Sequence, residues 1–418
     1  TSMIWENDPS MNTVYGSTQP NVYVGYFPQD EQSHWTVRLA PELPGTLNGI
    51  LTSFRLFELV LDIQKTIGDM ERIGLARRKM LRYISPATNE NLLYVSTTES
   101  TNSTEIKGFI DQCQDVGFEL LIFSFGSGFN MEKNDSKTLA FYQDVIQYGN
   151  SKGIEVGGYD LIMEDRTYGD GEYQVLNTQN QTENDLCFAS NWYNMVTNYF
   201  DDYININMSC VITDGPYGGQ SCNSQEHIYH ENLNDSIFRQ EHLQNQFYIN
   251  LKNKNVYIYQ PDNFFYYGGS KSGMGYNENQ YSLPRWQDLT ISRMGMYDDT
   301  YFHTNTQGWM FLPLTPYHSN NPDCIWEPLS EHLFEYDWAL GQYLGYGVMA
   351  NLRGTRLYDT NDTRSVVVKW VNFYNKHRDI LISDIIHLRR CDMQYFDAIL
   401  HVNSLIDERG LAMFFNPT

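Results

Sequence analysis

The stretch 209–222, SCVITDGPYGGQSC, decides how the rest of the chain is interpreted. Residues 211–213 have the apolar, β-branched character of a short buried strand, and Asp214 follows at its carboxyl end. The glycines and the proline at 215–219 predict a tight turn, because glycine adopts positive φ and proline fixes φ. Barrel enzymes present carboxylates on such turns, whereas Asp214 could instead bond its own turn or cap the next helix. The pattern alone leaves both interpretations open.

Upstream and downstream of this stretch, short apolar runs alternate with segments of helical periodicity. The predicted strands are 92–95, 119–125, 154–161, 211–213, 256–259, 309–314, 348–352 and 385–388. Strands that alternate with helices form parallel sheets, and eight such units predict an α/β fold of the (β/α)₈ TIM barrel type. An open, doubly wound sheet is the main alternative.

The N-terminal part has a different pattern. Residues 1–68 contain two alternating runs, 21–27 and 35–39, that predict strands, followed by helical periodicity over 50–84. We therefore expect an N-terminal β/helical extension, which is consistent with the remnant of a β domain, ahead of a barrel over 69–418. The run LAMFF at 411–415 is typical of the start of a strand, so we expect that a C-terminal domain is missing from this chain.

Composition and charge exclude several classes of protein. The chain has 418 residues and a formal net charge of −23, which argues against nucleic acid and anionic membranes as partners. No apolar run reaches the length of a membrane-spanning helix. The sequence has no dinucleotide fingerprint, phosphate-binding loop or HExxH motif, so we expect no cofactor. Oligomeric state is not predicted.

The six cysteines show no CxxC spacing, which makes a zinc site improbable, and the sequence predicts no metal. Cys187, Cys210 and Cys222 lie near the Asp214 strand in sequence and could form disulfides. Asn-X-Ser/Thr sequons favour a secreted, periplasmic or vesicular glycoprotein.

Acidic side chains follow several predicted strands, among aromatic residues. Glycoside hydrolysis needs this combination, because one carboxylate attacks or polarises the anomeric carbon and another protonates the leaving oxygen. The carboxylates considered are Asp160, Asp214, Asp262, Glu278, Glu327 and Asp359. Asp160 and Asp359 could equally make structural hydrogen bonds. Arg353 and Arg356 could pair with barrel carboxylates rather than bind ligand.

Several longer motifs resemble bacterial melibiase-like proteins, whose barrels are related to the α-galactosidases of glycoside hydrolase clan D. The motifs are DMERIGLARRKMLR at 69–82, FGSGFN at 125–130, GGYDL at 157–161, CFASNWY at 187–193, DGPYGGQSC at 214–222, GMGYNENQYSLPR at 273–285, GWMFLPLTPYH at 308–318, RGTRLYD at 353–359 and KHRDILISDIIHLRR at 376–390. The resemblance runs from about residue 69 to the last residue.

The resemblance implies a retaining α-glycosidase whose nucleophile is an Asp after the fourth strand, a place that Asp214 takes. The acid/base of the clan is an Asp after the sixth strand. Here the sixth strand is 309–314, and no acid follows it, which is a departure from the clan. The acid/base is then sought first at Glu278, second at Asp262 and third at Glu327.

The sequence thus predicts a retaining α-glycosidase that hydrolyses terminal α-galactosides or related α-linked sugars. Asp214 is the expected nucleophile and Glu278 the expected acid/base, and the partner is an oligosaccharide or polysaccharide substrate. The expected substrate-binding residues are Tyr159, Asp160, Tyr217, Asp262, Trp309, His318, Glu327, Arg353 and Arg356. The alternative is a carbohydrate-binding barrel without catalysis, which the missing acid after strand six favours.

Overall fold

The described part of the chain forms two compact units. The computed structural model describes residues 22–27, 34–39, 71–76, 78–79, 92–164, 172–215, 219–259, 278–303, 309–317, 319–392 and 394–416. The larger unit takes its described residues from 71–160, 202–212 and 255–416, and the smaller unit from 22–39, 161–201 and 213–254.

The strands and helices alternate through the larger part of the chain, as predicted. The strands are β1 (Val22–Phe27), β2 (His34–Leu39), β3 (Tyr94–Thr97), β4 (Leu120–Phe123), β5 (Glu155–Leu161), β6 (Gln174–Leu176), β7 (Thr182–Leu186), β8 (Cys210–Asp214), β9 (Tyr257–Tyr259), β10 (Trp309–Pro313), β11 (Met349–Gly354), β12 (Asp384–Arg389), β13 (Asp397–Val402) and β14 (Gly410–Phe415). The helices are α1 (helical at 71–76 and 78–79), α2 (Ser103–Val116), α3 (Ser136–Ser151), α4 (Trp192–Asn205), α5 (Leu233–Asn253), α6 (Arg285–Asp298), α7 (Leu333–Gly345) and α8 (Asn361–Leu381).

Seven of these strands form one parallel sheet, in the order β10-β11-β3-β4-β5-β8-β9. From β3 to β9 the order follows the chain, and β11 lies on the other side of β3, with Leu352 opposite Val95. A doubly wound sheet would instead reverse its direction at a switch point. The order is that of a ring in which the last strand returns to the first. The predicted barrel is therefore confirmed, and the open-sheet alternative is wrong.

The barrel core forms because its strands are apolar on both faces. All four residues of β4, LLIF, are buried, as are the four of β3. This is expected of a parallel strand that is covered on both sides. The helix α2 begins where the Asn102 side chain accepts hydrogen bonds from two backbone amides, and it ends at Gly117, whose φ is +92°. Its buried face includes Ile106, Phe109, Ile110 and Cys113, as the sequence predicts.

The strand predicted at 385–388 as the eighth barrel strand is a correction. The segment belongs to β12, which pairs antiparallel with β13, and β13 pairs antiparallel with β14. The place beside β3 is already taken by β11, so β12 lies outside the parallel sheet. A short β-branched run predicts a strand but contains no information about its partner, which explains the error.

Buried polar side chains attach this antiparallel sheet to the barrel helices. Arg293 of α6 forms a bidentate ion pair with Asp397 of β13, at 2.8 and 2.6 Å. Arg78 of α1 donates to the backbone oxygens of Thr300 and Ile385, at 2.8 and 3.0 Å. The C-terminal sheet is thus packed into the larger unit rather than appended to it.

At the N-terminal end, β1 and β2 pair antiparallel, which confirms the two strands predicted there. The helix predicted over 50–84 is helical where it is described, at 71–76 and 78–79, and the rest lies outside the described residues. In the smaller unit, β6 and β7 form an antiparallel pair that the sequence analysis did not predict.

Candidate active site at the strand ends

Asp214 is the last residue of β8, and its side chain is half-buried. Gly215 follows with φ of +77°, and Gly219 has φ of +79°, so both glycines take the left-handed conformation that the turn prediction required. A Cβ at Gly219 would lie 2.6 Å from Oε1 of Gln240. The turn after Asp214 therefore depends on glycine for conformation and for space.

The turn is held against α5. Gln240, which is fully buried, donates from Nε2 to the backbone oxygen of Gln220 at 2.7 Å. Thr213 precedes Asp214, and its Oγ1 lies 2.7 Å from the hydroxyl of Tyr248. Both contacts come from α5. They hold the residues before and after Asp214 in place, so the position of the carboxylate is defined.

A second group of predicted site residues meets at the ends of β5 and β11. Arg353 of β11 donates from Nη2 to the backbone oxygen of Phe125 at 2.6 Å, and its guanidinium lies 4.5 Å from the centroid of the Tyr317 ring. Tyr159 of β5 packs edge-on against Phe125, with ring centroids 5.7 Å apart. Asp160, beside it, is buried.

The position of Arg353 explains why the FGSGF turn after β4 contains glycine at 126. Gly126 has φ of +76°, and a Cβ there would lie 3.0 Å from Nη2 of Arg353. The sequence analysis quoted this turn but did not assign Phe125 a role. Phe125 is 47% exposed although it directly follows a buried strand. An exposed aromatic at a strand end is the signal that could have identified it, since such rings stack on sugars.

Arg356 and Glu327 form an ion pair instead of two separate ligand-binding groups. Nε of Arg356 lies 2.9 and 3.1 Å from the two carboxylate oxygens of Glu327. The hydrogen bond that Arg356 donates to the Glu327 carboxylate raises the pKa of the guanidinium above its usual range. The predicted pairing of an arginine with a barrel carboxylate is therefore confirmed for Arg356.

Asp359 has a structural role, which was one of its two expected roles. Its carboxylate accepts hydrogen bonds from the backbone and the hydroxyl of Ser330, each at 3.0 Å, and from Thr363 at 2.9 Å. These bonds fix the start of α8.

Glu278 is the first residue of the 3-10 helix Glu278–Ser282, and only its backbone is described. Gln280, in the same turn, is buried and donates from Nε2 to Asp288 at 2.6 Å and to Ser292 at 2.8 Å. Burial raises the pKa of Asp288 to about 7. These bonds fix the 3-10 helix against α6, and so fix the backbone from which Glu278 projects.

The remaining predicted site residues are less fully defined. Trp309 is the first residue of β10, and its side chain lies outside the description. Tyr217, Asp262 and His318 lie outside the described residues. Trp192 is core: it is fully buried, and its Nε1 donates to the backbone oxygen of Ile162 at 2.7 Å.

Solved structures that resemble this chain are glycoside hydrolases. A variant of the GH36 α-galactosidase AgaA from Geobacillus stearothermophilus, in complex with stachyose, has a TM-score of 0.60 over 83% of this chain and 51% of its own, at 11% identity. The galactosidase domain of the α-galactosidase-sucrose kinase AgaSK has a TM-score of 0.54 over 80% and 48%, at 10% identity. The maltogenic α-amylase AmyB from Thermotoga neapolitana has a TM-score of 0.52 over 79% and 86%, at 9% identity.

The fold is that of an α-galactosidase-related glycoside hydrolase barrel. The resemblance expected from the sequence motifs is thereby confirmed at the level of fold. This barrel chain spans about half the length of the α-galactosidases it matches. No family model and no curated protein matches its sequence. Among the described residues, no helix has both the length and the apolar character needed to cross a membrane.

Proposed function

We propose that the chain is a retaining α-glycosidase that hydrolyses terminal α-galactosides or related α-linked sugars. The observation that carries the proposal is Asp214, a half-buried carboxylate at the end of the fourth strand of the ring, on a turn that glycines and α5 hold in place. Carboxylates at the carboxyl ends of barrel strands are the reactive groups of this architecture. The fold shared with α-galactosidases supports the same reaction class.

In this reaction Asp214 attacks the anomeric carbon while a second carboxylic acid gives its proton to the leaving glycosidic oxygen. A covalent glycosyl ester forms and the glycosidic bond breaks. Water then attacks the ester and loses its proton to the same second carboxylate, which returns both groups to their starting states. The two carboxyl groups of a retaining pair lie about 5–5.5 Å apart.

The strand order supports Glu278 as the second group. Because β11 lies beside β3, β10 and β11 are the last two strands of the ring, and in an eight-stranded barrel they take places seven and eight. We infer that β10 takes place seven of an eight-stranded ring, so that the acid/base expected after strand six is sought ahead of β10 rather than after it. Glu278 lies just ahead of α6, the helix that precedes β10, and loops that lead into helices lie at the catalytic end of a barrel.

Three described groups at the ends of β4, β5 and β11 support sugar binding. The exposed ring of Phe125 and the ring of Tyr159 offer aromatic faces for the C–H faces of a sugar. The Arg353 guanidinium, stacked on Tyr317, is fixed near them. The hypothesis of a barrel without catalysis was favoured by the missing acid after strand six, and that argument would not apply if β10 is the seventh strand.

The test is hydrolysis of a panel of aryl α- and β-glycosides, galactosides included, by the wild type and by Asp214→Asn. We expect turnover of an α-galactoside with retained anomeric configuration, and its loss in the variant. Glu278→Gln should lower turnover of substrates with poor leaving groups by about 10²–10⁴-fold and affect activated aryl glycosides much less. Asp359→Asn, the same change at a structural carboxylate, should keep turnover.

Inverted product configuration, or full activity in Asp214→Asn, would contradict the assignment of the nucleophile. Saturable binding of galactosides without turnover of any glycoside would support the carbohydrate-binding barrel instead. A crystal structure with a bound sugar would contradict the pairing of Asp214 with Glu278 if their carboxyl groups were more than about 10 Å apart.

A further inference from the structure

Four side chains of types that can bind metals meet in the smaller unit. They are Cys187, Cys222, His227 and His230, and all four are buried. One potential ligand atom from each lies within 4.8 Å of every other. Cys187 follows β7, Cys222 lies in the segment after Asp214, and the two histidines precede α5. Two loops, the one after β7 and the one between β8 and α5, therefore converge on one point.

The spacing of these atoms fits a tetrahedral ion. Sγ of Cys222 lies 3.5 Å from Nδ1 of His227, and this nitrogen lies 3.1 Å from Nε2 of His230. Zinc binds thiolate at about 2.3 Å and imidazole at about 2.0–2.1 Å, so a tetrahedral site places sulfur about 3.5 Å and nitrogen about 3.3 Å from a neighbouring ring nitrogen. The cluster is already close to the dimensions that the ion requires.

The chemistry of the cluster also favours a cation at its centre. Thiolate sulfur and neutral imidazole nitrogen are both lone-pair donors, and here they face one another in a buried space. A thiolate buried among such donors is stabilised by a cation and is disfavoured without one.

The surroundings hold the four groups in place. The backbone amide of Leu176 donates to Sγ of Cys222 at 3.4 Å, and the amide of Cys222 donates to Oγ of the buried Ser236 at 3.0 Å. The amide of Tyr229, between the two histidines, donates to the backbone oxygen of Ala189 at 3.1 Å. Hydrogen bonds to a thiolate ligand and to its backbone are the outer contacts that metal sites use to orient their ligands.

We propose that Cys187, Cys222, His227 and His230 bind one structural zinc ion. A tetrahedral set of two sulfur and two nitrogen ligands selects zinc among the common metals, and four protein ligands leave no open position for catalysis. The ion would tie the segment after Asp214 to the loop that follows β7. The sequence analysis predicted no metal because it looked for CxxC spacing, whereas this site takes its two cysteines from different loops.

The test is the metal content of the untagged chain, purified without chelator and measured by plasma mass spectrometry. We expect about one zinc per chain, falling to background in Cys222→Ser and in His230→Gln. Cys324→Ser and His332→Gln change a buried thiol and a histidine elsewhere in the fold, and both should keep the zinc. In the wild type, a chelator should lower the thermal midpoint, and added zinc should restore it.

Cobalt gives a second measurement that does not depend on how well the variants fold. Wild-type chain stripped of metal should bind one Co²⁺ and show the intense d–d absorption of a tetrahedral site together with thiolate-to-cobalt charge transfer. A chain that contains no zinc and takes up no cobalt would overturn the proposal. So would a Cys187–Cys222 disulfide in the purified protein, or zinc that persists in both ligand variants.

Discussion

Two buried polar clusters of this molecule resemble each other in burial and differ in charge. In the larger unit, Arg293 and Asp397 have side chains only 1% and 3% exposed, and they form a bidentate pair in which a cation meets an anion. In the smaller unit, two thiols and two imidazoles are also buried, and each offers one atom that can bind a metal ion. The charges of the first cluster balance each other, whereas in our proposal an ion completes the second.

Asp288 is intermediate between these two clusters. It is a buried carboxyl that accepts hydrogen bonds from Gln280 and Ser292, and neither of these two partners is a cation. Its pKa is raised by burial to about 7, so the group remains protonated in much of the acid range. Burial alone therefore does not distinguish a structural polar group from a binding site. What distinguishes them is whether the facing atoms can pair with one another or need a ligand to pair with.

The largest stability effect should come from breaking the buried ion pair of Arg293 and Asp397. Arg293→Met leaves Asp397 buried without its cation, and we expect a loss of about 3–5 kcal/mol in the free energy of unfolding. The double variant Arg293→Met, Asp397→Leu should recover much of that loss, because it removes both charges together. Urea unfolding of the three proteins measures both effects. A double variant less stable than the single one would contradict this account of the pair.

A smaller effect, with a pH signature, is expected at Asp288. Its folded pKa of about 7 lies above the ordinary value of 3.8, so the folded state binds more protons between these pH values. Stability should therefore fall as pH rises from about 4 to about 7 and remain at the lower level above that. Asp288→Asn keeps the acceptor for Gln280 and removes the titration, so it should gain about 2–4 kcal/mol at pH 8 and little at pH 4.

Chemical unfolding of the wild type and of Asp288→Asn at both pH values measures this difference. Asp144→Asn is the matched control, since Asp144 is exposed and the same change should leave the pH profile unaltered. Parallel pH profiles for the wild type and Asp288→Asn would show that the buried carboxyl does not titrate in this range.

The comparison also shows what the sequence could and could not predict. The barrel followed from local patterns, because β4 and α2 each contain their apolar period within a few residues. The placement of strand 385–388 could not be predicted from local patterns, because the neighbour of a strand is set by residues far away in the chain. Here the place beside β3 is taken by β11, with Leu352 opposite Val95.

Local patterns also predicted which strand ends contribute residues to the candidate site. Strand ends predicted Asp214, Tyr159 and Arg353, because parallel strands bring their carboxyl ends to one edge of the barrel. The metal cluster was missed because a search for CxxC spacing excludes it. Cys222, His227 and His230 lie in one loop, but Cys187 comes from another, and its approach depends on tertiary packing.

The smallest effect should come from Arg356 and Glu327, the same kind of bidentate pair as Arg293 and Asp397 but more exposed. The Arg356 side chain is 44% exposed and that of Glu327 is 19% exposed, so water and salt screen their attraction. Arg356→Met should therefore cost only about 0.2–1 kcal/mol of unfolding free energy, and less at high salt. Urea unfolding at low and high salt, run beside Arg293→Met, measures the contrast. Equal costs in the two variants would show that burial does not set the strength of these pairs, since their geometry is alike and their exposure is not.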